Sequence, residues 1–191
     1  MTRWLNIPNL LSVLRLVLVP FAVRAVYVGD HRGALVVFAT AAVTDALDGP
    51  LARRLRCVTR VGAYLDPIAD KALLSSTYLA LGAAGAIPWW LVGLVFGRDL
   101  LILALVGAAL LFTGYRDFPP NCWGKLSTGV QAVAAVWVIV ARAFPSAGLP
   151  SYAMLWPAAA ATAWSGLTYL WQAVGMAQSA FRKDHSPVES D

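Results

Sequence analysis

Apolar runs of about 20 residues, long enough to cross the hydrocarbon core of a bilayer, recur along most of this chain. Lipid offers no hydrogen-bonding partner, so a spanning segment must satisfy its own backbone as a helix or close into a barrel. The strict alternation of barrel strands is absent, which leaves helices. Six spans are expected, over about 8–28, 33–55, 61–84, 88–112, 123–143 and 154–181. The fold class expected is all-α, an integral membrane bundle of six transmembrane helices. Residues 1–181 would form one membrane domain, and the polar "RKDHSPVESD" at 182–191 a disordered tail. The composition agrees: 59% of residues are hydrophobic and only 13% are charged, against about 25% charged in soluble domains.

Arg15 interrupts the first apolar run and no small-x-small cleavage site follows, so this run is expected to be a retained span, not a secretory signal. Lys and Arg then orient the bundle. Arg3, Arg53, Arg54, Arg56, Arg60, Arg116, Lys125, Arg182 and Lys183 fall on one side, and only Arg24, Arg32 and Arg142 on the other. Positive charge marks the cytoplasmic face, so both termini and the second and fourth loops are expected in the cytosol. The formal net charge of +5 is explained by that asymmetry and by the anionic headgroups at the same face. No basic run is interleaved with aromatics outside the spans, so nucleic acid is not expected as a partner. Cys57 and Cys122 are isolated, without CxxC or metal spacing. Trp89 and Trp90 suit an interfacial anchor.

The stretch "TDALDGPLARRLRCVTRVGAYLDPIADK" places Asp45, Asp48, Asp66 and Asp70, four of the ten acidic residues, between apolar runs. Spacings of three and four put each pair on one helix face. Adjacent antiparallel helices could then pool all four carboxylates, which would repel, protonate or attract cations. Oxygen donors without His or Cys suit a hard divalent ion such as Mg²⁺, Mn²⁺ or Ca²⁺. Enough carboxylates for two ions suggests the two-metal arrangement used in phosphoryl displacement. Gly49 allows close backbone approach, Arg53 one turn on offers a fork to phosphate, and Gly62 stands opposite. The competing reading is an ion-pair network on a solvated helix end, which has no need of Gly49, Gly62 or the inward-running Asp66 and Asp70.

The pattern Asp45-x₂-Asp48-Gly49-x₂-Ala52-Arg53-x₈-Gly62-x₃-Asp66-x₃-Asp70 resembles, position for position, the signature of the CDP-alcohol phosphatidyltransferases. The resemblance implies an enzyme that moves a phosphatidyl group from a CDP-linked donor to an alcohol and releases CMP. It also implies a homodimer with a two-metal site, Mg²⁺ or Mn²⁺, facing the cytosol. Carried over by position, Asp45, Asp48, Asp66 and Asp70 resemble metal ligands, and Asp70 also the base that takes the acceptor's proton. Gly49, Ala52, Arg53 and Gly62 resemble the nucleotide cradle.

The implied donor is CDP-diacylglycerol, and other membrane lipids are expected partners. Arg15, Lys71, Arg98 and Lys125 are candidates for the acceptor or lipid phosphate, since charges at membrane depth are functional suspects. For each, the alternative is a structural pair with a neighbour or a motif aspartate. Arg15 stands out for having no acidic neighbour in sequence. "IPNLLSVLR", "TDALDG", "LDPIADK" and "WGKLSTGVQ" resemble the branch holding phosphatidylglycerophosphate synthases and single-domain cardiolipin synthases. Arg98-Asp99 and Val106 depart from the Arg-Glu and second Arg usual in the former, which raises phosphatidylglycerol over glycerol 3-phosphate as acceptor. Inositol phosphate is a more distant acceptor. A cation- or proton-coupled transporter and an inactive assembly partner are the readings of another class.

Overall fold

The structure, a computed structural model, describes residues 7–54, 60–113 and 122–184, with side chains described over 10–44, 68–105, 107 and 122–175. The described residues hold α1 (Ile7–Tyr27), α2 (His31–Arg54), α3 (Arg60–Ala83), α4 (Trp89–Thr113), α5 (Cys122–Ala143) and α6 (Leu155–Asp184), and no strand. A short 3-10 turn, Pro145–Ala147, follows α5. Each expected span coincides with one helix to within three residues. The largest difference is at the end of α6, which continues through Arg182, Lys183 and Asp184, where the tail was expected to begin. Residues 185–191 lie outside the described ones.

Among the described residues, Leu10–Tyr27 and Cys122–Ala143 are long and apolar enough to cross a membrane. The other four helices do not meet that measure over their described parts. In α2 an apolar stretch runs over His31–Thr44, the part of the helix whose side chains are described.

The chain divides into two compact units, with the divisions falling inside α4 and α5 and at the start of α6. The first unit holds the residues up to Val92 together with Ala132–Leu155. In it, α1 packs against both α2 and α3. The buried stripe of α1 is Ser12, Arg15, Ala22 and Val26, while Leu10, Val13, Leu14, Val17 and Phe21 are exposed. Positions three, four and seven apart share one helix face, so polar Ser12 and Arg15 point inward and apolar groups point out. This inverts the soluble pattern and suits a helix solvated by hydrocarbon.

Turn chemistry closes the far ends of this unit. Asp30 caps α2 by accepting the Gly33 N–H at 2.9 Å. At the end of α3, Gly85 has φ 62°, a left-handed conformation that glycine adopts without a Cβ clash. Ala86 N–H donates to the Leu81 carbonyl at 2.8 Å and Gly85 N–H to Gly82 at 3.0 Å, a Schellman ending that satisfies two terminal carbonyls. Arg142, in the last turn of α5, donates to the Gly85 carbonyl at 3.1 Å. Nearby, Arg32 lies over the Phe144 ring. His31 Nδ1 is buried without a hydrogen-bond partner. Burial first, and then the Arg142 charge, hold the His31 imidazole below its usual value, against a smaller upward pull from Asp30.

The second unit holds Gly93–Gln131 and the residues from Trp156 on. Buried Ser127, Gln131, Thr162 and Ser165 join α5 to α6. Gln131 Nε2 donates to Thr162 Oγ1 at 2.8 Å, and Thr162 donates to the Ala158 carbonyl at 2.6 Å. Trp123 and Trp164 meet edge to face at 6.1 Å.

Candidate functional site

The motif straddles the end of α2 and the start of α3, with residues 55–59 between the two helices. Counted from Arg54 and Arg60, Asp48 and Asp66 are each six residues inside their helices, and Asp45 and Asp70 nine and ten. At 1.5 Å per residue, Asp70 is about 15 Å along the axis from the start of α3. The carboxylates therefore stand on helical backbone well inside the helix ends, Asp70 deeper than the first turns expected for it.

Asp70 is the one motif aspartate whose side chain is described, and it is half exposed. Its Oδ1 accepts a hydrogen bond from Nη1 of Arg15, which comes from α1 and is 1% exposed. This bears on the expectation for Arg15. The residue has no acidic neighbour in sequence, yet the packing of α1 on α3 supplies one 55 residues away. Of its two expected roles, phosphate ligand or partner of a motif aspartate, the structure displays the second. Lys71 is half-buried beside Asp70.

In the second unit, Arg98 is buried on α4 and engaged from several sides. Its Nη1 donates to Asp99 Oδ1 at 3.0 Å. Nε and Nη2 donate to Ser165 Oγ of α6 at 3.2 and 2.8 Å, and Nη2 also to the Gly124 carbonyl of α5 at 3.3 Å. The guanidinium lies 5.7 Å from the centre of the Tyr169 ring, within cation–π range. Gly124 leaves room for this approach, since a Cβ there would sit 2.6 Å from Tyr169 Oη and 3.2 Å from Arg98 Nη2, and those side-chain ends would have to shift. Lys125, the next residue, is exposed. The Arg98–Asp99 pairing is the alternative weighed for Arg98 against a phosphate role. Ser165, Gly124 and Tyr169 were not singled out, and the available signal was the glycine of "WGKLSTGVQ" and the small polar residue in "TAWSG".

The side chains of Asp45, Asp48, Gly49, Ala52, Arg53, Gly62, Asp66 and Val106 lie outside the described residues, as does all of Cys57. Cys122 is a free, exposed thiol. Among the described residues no three His, Cys, Asp or Glu side chains gather as a metal site. The donor chemistry nonetheless fits a hard divalent ion, since the fixed positions of the motif offer carboxylate oxygens on two helices and neither imidazole nor thiolate.

A family model described as CDP-alcohol phosphatidyltransferase matches residues 5–165. The chain is 42% identical over 139 residues to a Mycobacterium tuberculosis H37Rv protein named "Probable phosphatidylglycerophosphate synthase", a match covering 69% of this chain and 65% of that protein. It is 36% identical over 172 residues to the CDP-diacylglycerol–glycerol-3-phosphate 3-phosphatidyltransferase of Escherichia coli K12, covering 86% of this chain and 93% of that one. The chain thus spans a little under two thirds of the mycobacterial relative and nearly all of the enterobacterial one.

Proposed function

This chain belongs to the CDP-alcohol phosphatidyltransferase family, and from that membership we propose that it transfers a phosphatidyl group from CDP-diacylglycerol to glycerol 3-phosphate with release of CMP. The observation that supports the mechanism is that the motif sits on helical backbone, with Asp48 six and Asp45 nine residues from the end of α2, and Asp66 six and Asp70 ten from the start of α3. An antiparallel return across so short a connection would set Asp48 level with Asp66 and Asp45 with Asp70. Glycerol 3-phosphate is favoured as acceptor by the names of the relatives.

Asp70 takes the proton of the acceptor hydroxyl, and the oxygen attacks the phosphorus that bears diacylglycerol. The bond from that phosphorus to the bridging pyrophosphate oxygen breaks, and CMP leaves. Asp45, Asp48, Asp66 and Asp70 would hold two divalent ions, Mg²⁺ or Mn²⁺. When bound, such ions neutralise charge on the pyrophosphate and the departing nucleotide. Gly49, Ala52 and Gly62 let the nucleotide approach the backbone, and Arg53 gives its phosphate a bidentate partner. Lys125 is an exposed cation that suits a phosphate. Arg98 anchors the corner of α4, α5 and α6 on which Lys125 stands. Lys71 adds positive charge beside Asp70. In topology, all six helices span the membrane, and the motif and both termini face the cytosol. The small residues of α6 favour a homodimer.

Phosphatidylglycerol is the second reading for the acceptor. It is favoured by the shorter acid of the Arg98–Asp99 pair and by Val106. The test is purified protein with CDP-diacylglycerol and Mg²⁺, offered glycerol 3-phosphate, phosphatidylglycerol or inositol phosphate in turn, while CMP is followed. CMP release with glycerol 3-phosphate, abolished by EDTA and restored by Mg²⁺, is the expected result. Release with phosphatidylglycerol alone would select the second reading. No CMP with any alcohol would overturn the assignment.

A further inference from the structure

We infer that Arg15 is a positioning residue for Asp70, so that α1, which lies outside the aspartate motif, completes the reaction centre. The inference rests on Asp70 being the base of the proposed transfer.

The asymmetry of the pair is what separates this role from a purely structural ion pair. Burying a guanidinium costs several kcal/mol unless it is paired with good geometry. A pair that served packing alone has no need to leave its acid open to a ligand. Here Arg15 is 1% exposed and the Asp70 side chain 49% exposed. The cation is sealed between helices and the carboxylate opens outward. A buried group thus holds a working group from behind, as the orienting member of a catalytic constellation holds its base. The surrounding structure keeps Arg15 in place. It shares the inward stripe of α1 with Ser12, Ala22 and Val26, all 0% exposed, and α1 is clamped against both α2 and α3. The hydrogen bond from Arg15 Nη1 therefore holds Asp70 Oδ1 toward α1.

Arg15 acting through Asp70 predicts effects different from those of Arg15 binding a phosphate itself. Arg15→Gln keeps a polar group of similar length but loses the charge and the fork. It should lower kcat about 100-fold, the usual cost of a displaced catalytic group, with the KM for each substrate within threefold of wild type. Arg15→Lys, which restores a buried cation, should recover at least tenfold of that loss and keeps the test decisive if the Gln variant does not fold. In an Asp70→Asn background, Arg15→Gln should cost little further, because residues that act as a unit are not additive. The inference is overturned if Arg15→Gln turns over within threefold of wild type, if its defect lies in KM at unchanged kcat, if Arg15→Lys is as impaired as Arg15→Gln, or if the loss is equally large in the Asp70→Asn background. Wild-type protein that releases no CMP with any alcohol overturns the proposed function itself, an outcome distinct from all of these.

Discussion

Two buried arginines, one in each unit, solve the same electrostatic problem in opposite ways. Arg15 is held by a carboxylate on another helix, 55 residues away and half exposed. Arg98 is held by the carboxylate of its own neighbour, which is 16% exposed, and by neutral acceptors on α5 and α6. The first arrangement turns a buried charge toward a group that can meet a ligand. The second closes on itself and knits three helices. The difference lies in the exposure and origin of the partner, not in the arginine.

The sharpest way to break this comparison is to neutralise the two acids in turn. Asp70→Asn should reduce transfer by about 10³-fold, within the range for a lost general base, and should also lower the thermal unfolding midpoint in detergent, because the buried Arg15 charge loses its acid. A variant with near-normal CMP release would remove Asp70 from the mechanism and leave the two arginines equivalent. Asp99→Asn should act on stability and largely spare turnover. Loss of a charge-assisted bond in a mostly buried setting costs about 1.5–3 kcal/mol, seen as a lower unfolding midpoint, with turnover within about tenfold of wild type. Smaller again is Gly124→Val. Its side chain would meet Tyr169 and Arg98, and overpacking of this kind costs about 1–3 kcal/mol. A midpoint equal to wild type would show that the Arg98 cluster yields easily and is no rigid anchor.

The smallest effect belongs to the α1–α2 turn of the first unit. The pKa of His31 is lowered on folding, so the unfolded chain binds its proton more readily. Its contribution to stability is fully present above the unfolded value of about 6.5 and is lost as pH falls below it. Unfolding midpoints measured at pH 7.5 and 5.5 should converge slightly in His31→Gln relative to wild type. An identical pH dependence in both proteins would show that the partial burial of His31 carries no linkage.

What the sequence made legible follows the range of each interaction. Helices were legible because apolar length and local spacing are properties of contiguous residues, and both ends of all six helices fall within three residues of expectation. The aspartate motif was legible for the same reason, as was the pairing of Arg98 with Asp99. A pair of Arg15 with some motif aspartate was one of two alternatives, but the choice of Asp70 was not legible, because it depends on which face α1 presents to α3. No local pattern encodes that choice, and Ser12 and Arg15 even interrupt the apolar stripe that would reveal a packing face. Ser165 and Tyr169 escaped notice for a similar cause, since a serine and a tyrosine among alanines look like ordinary helix filler. Acceptor choice was the least legible. Two positions pointed to phosphatidylglycerol, while the relatives' names point to glycerol 3-phosphate.

The placement of Arg15 has a consequence for biogenesis. During synthesis α1 emerges before α3, and in a bilayer its arginine would wait without the aspartate that later meets it. A buried charge left without its partner is costly, and the meeting of α1 with α3 removes that cost, so an early segment and a later one are stabilised together.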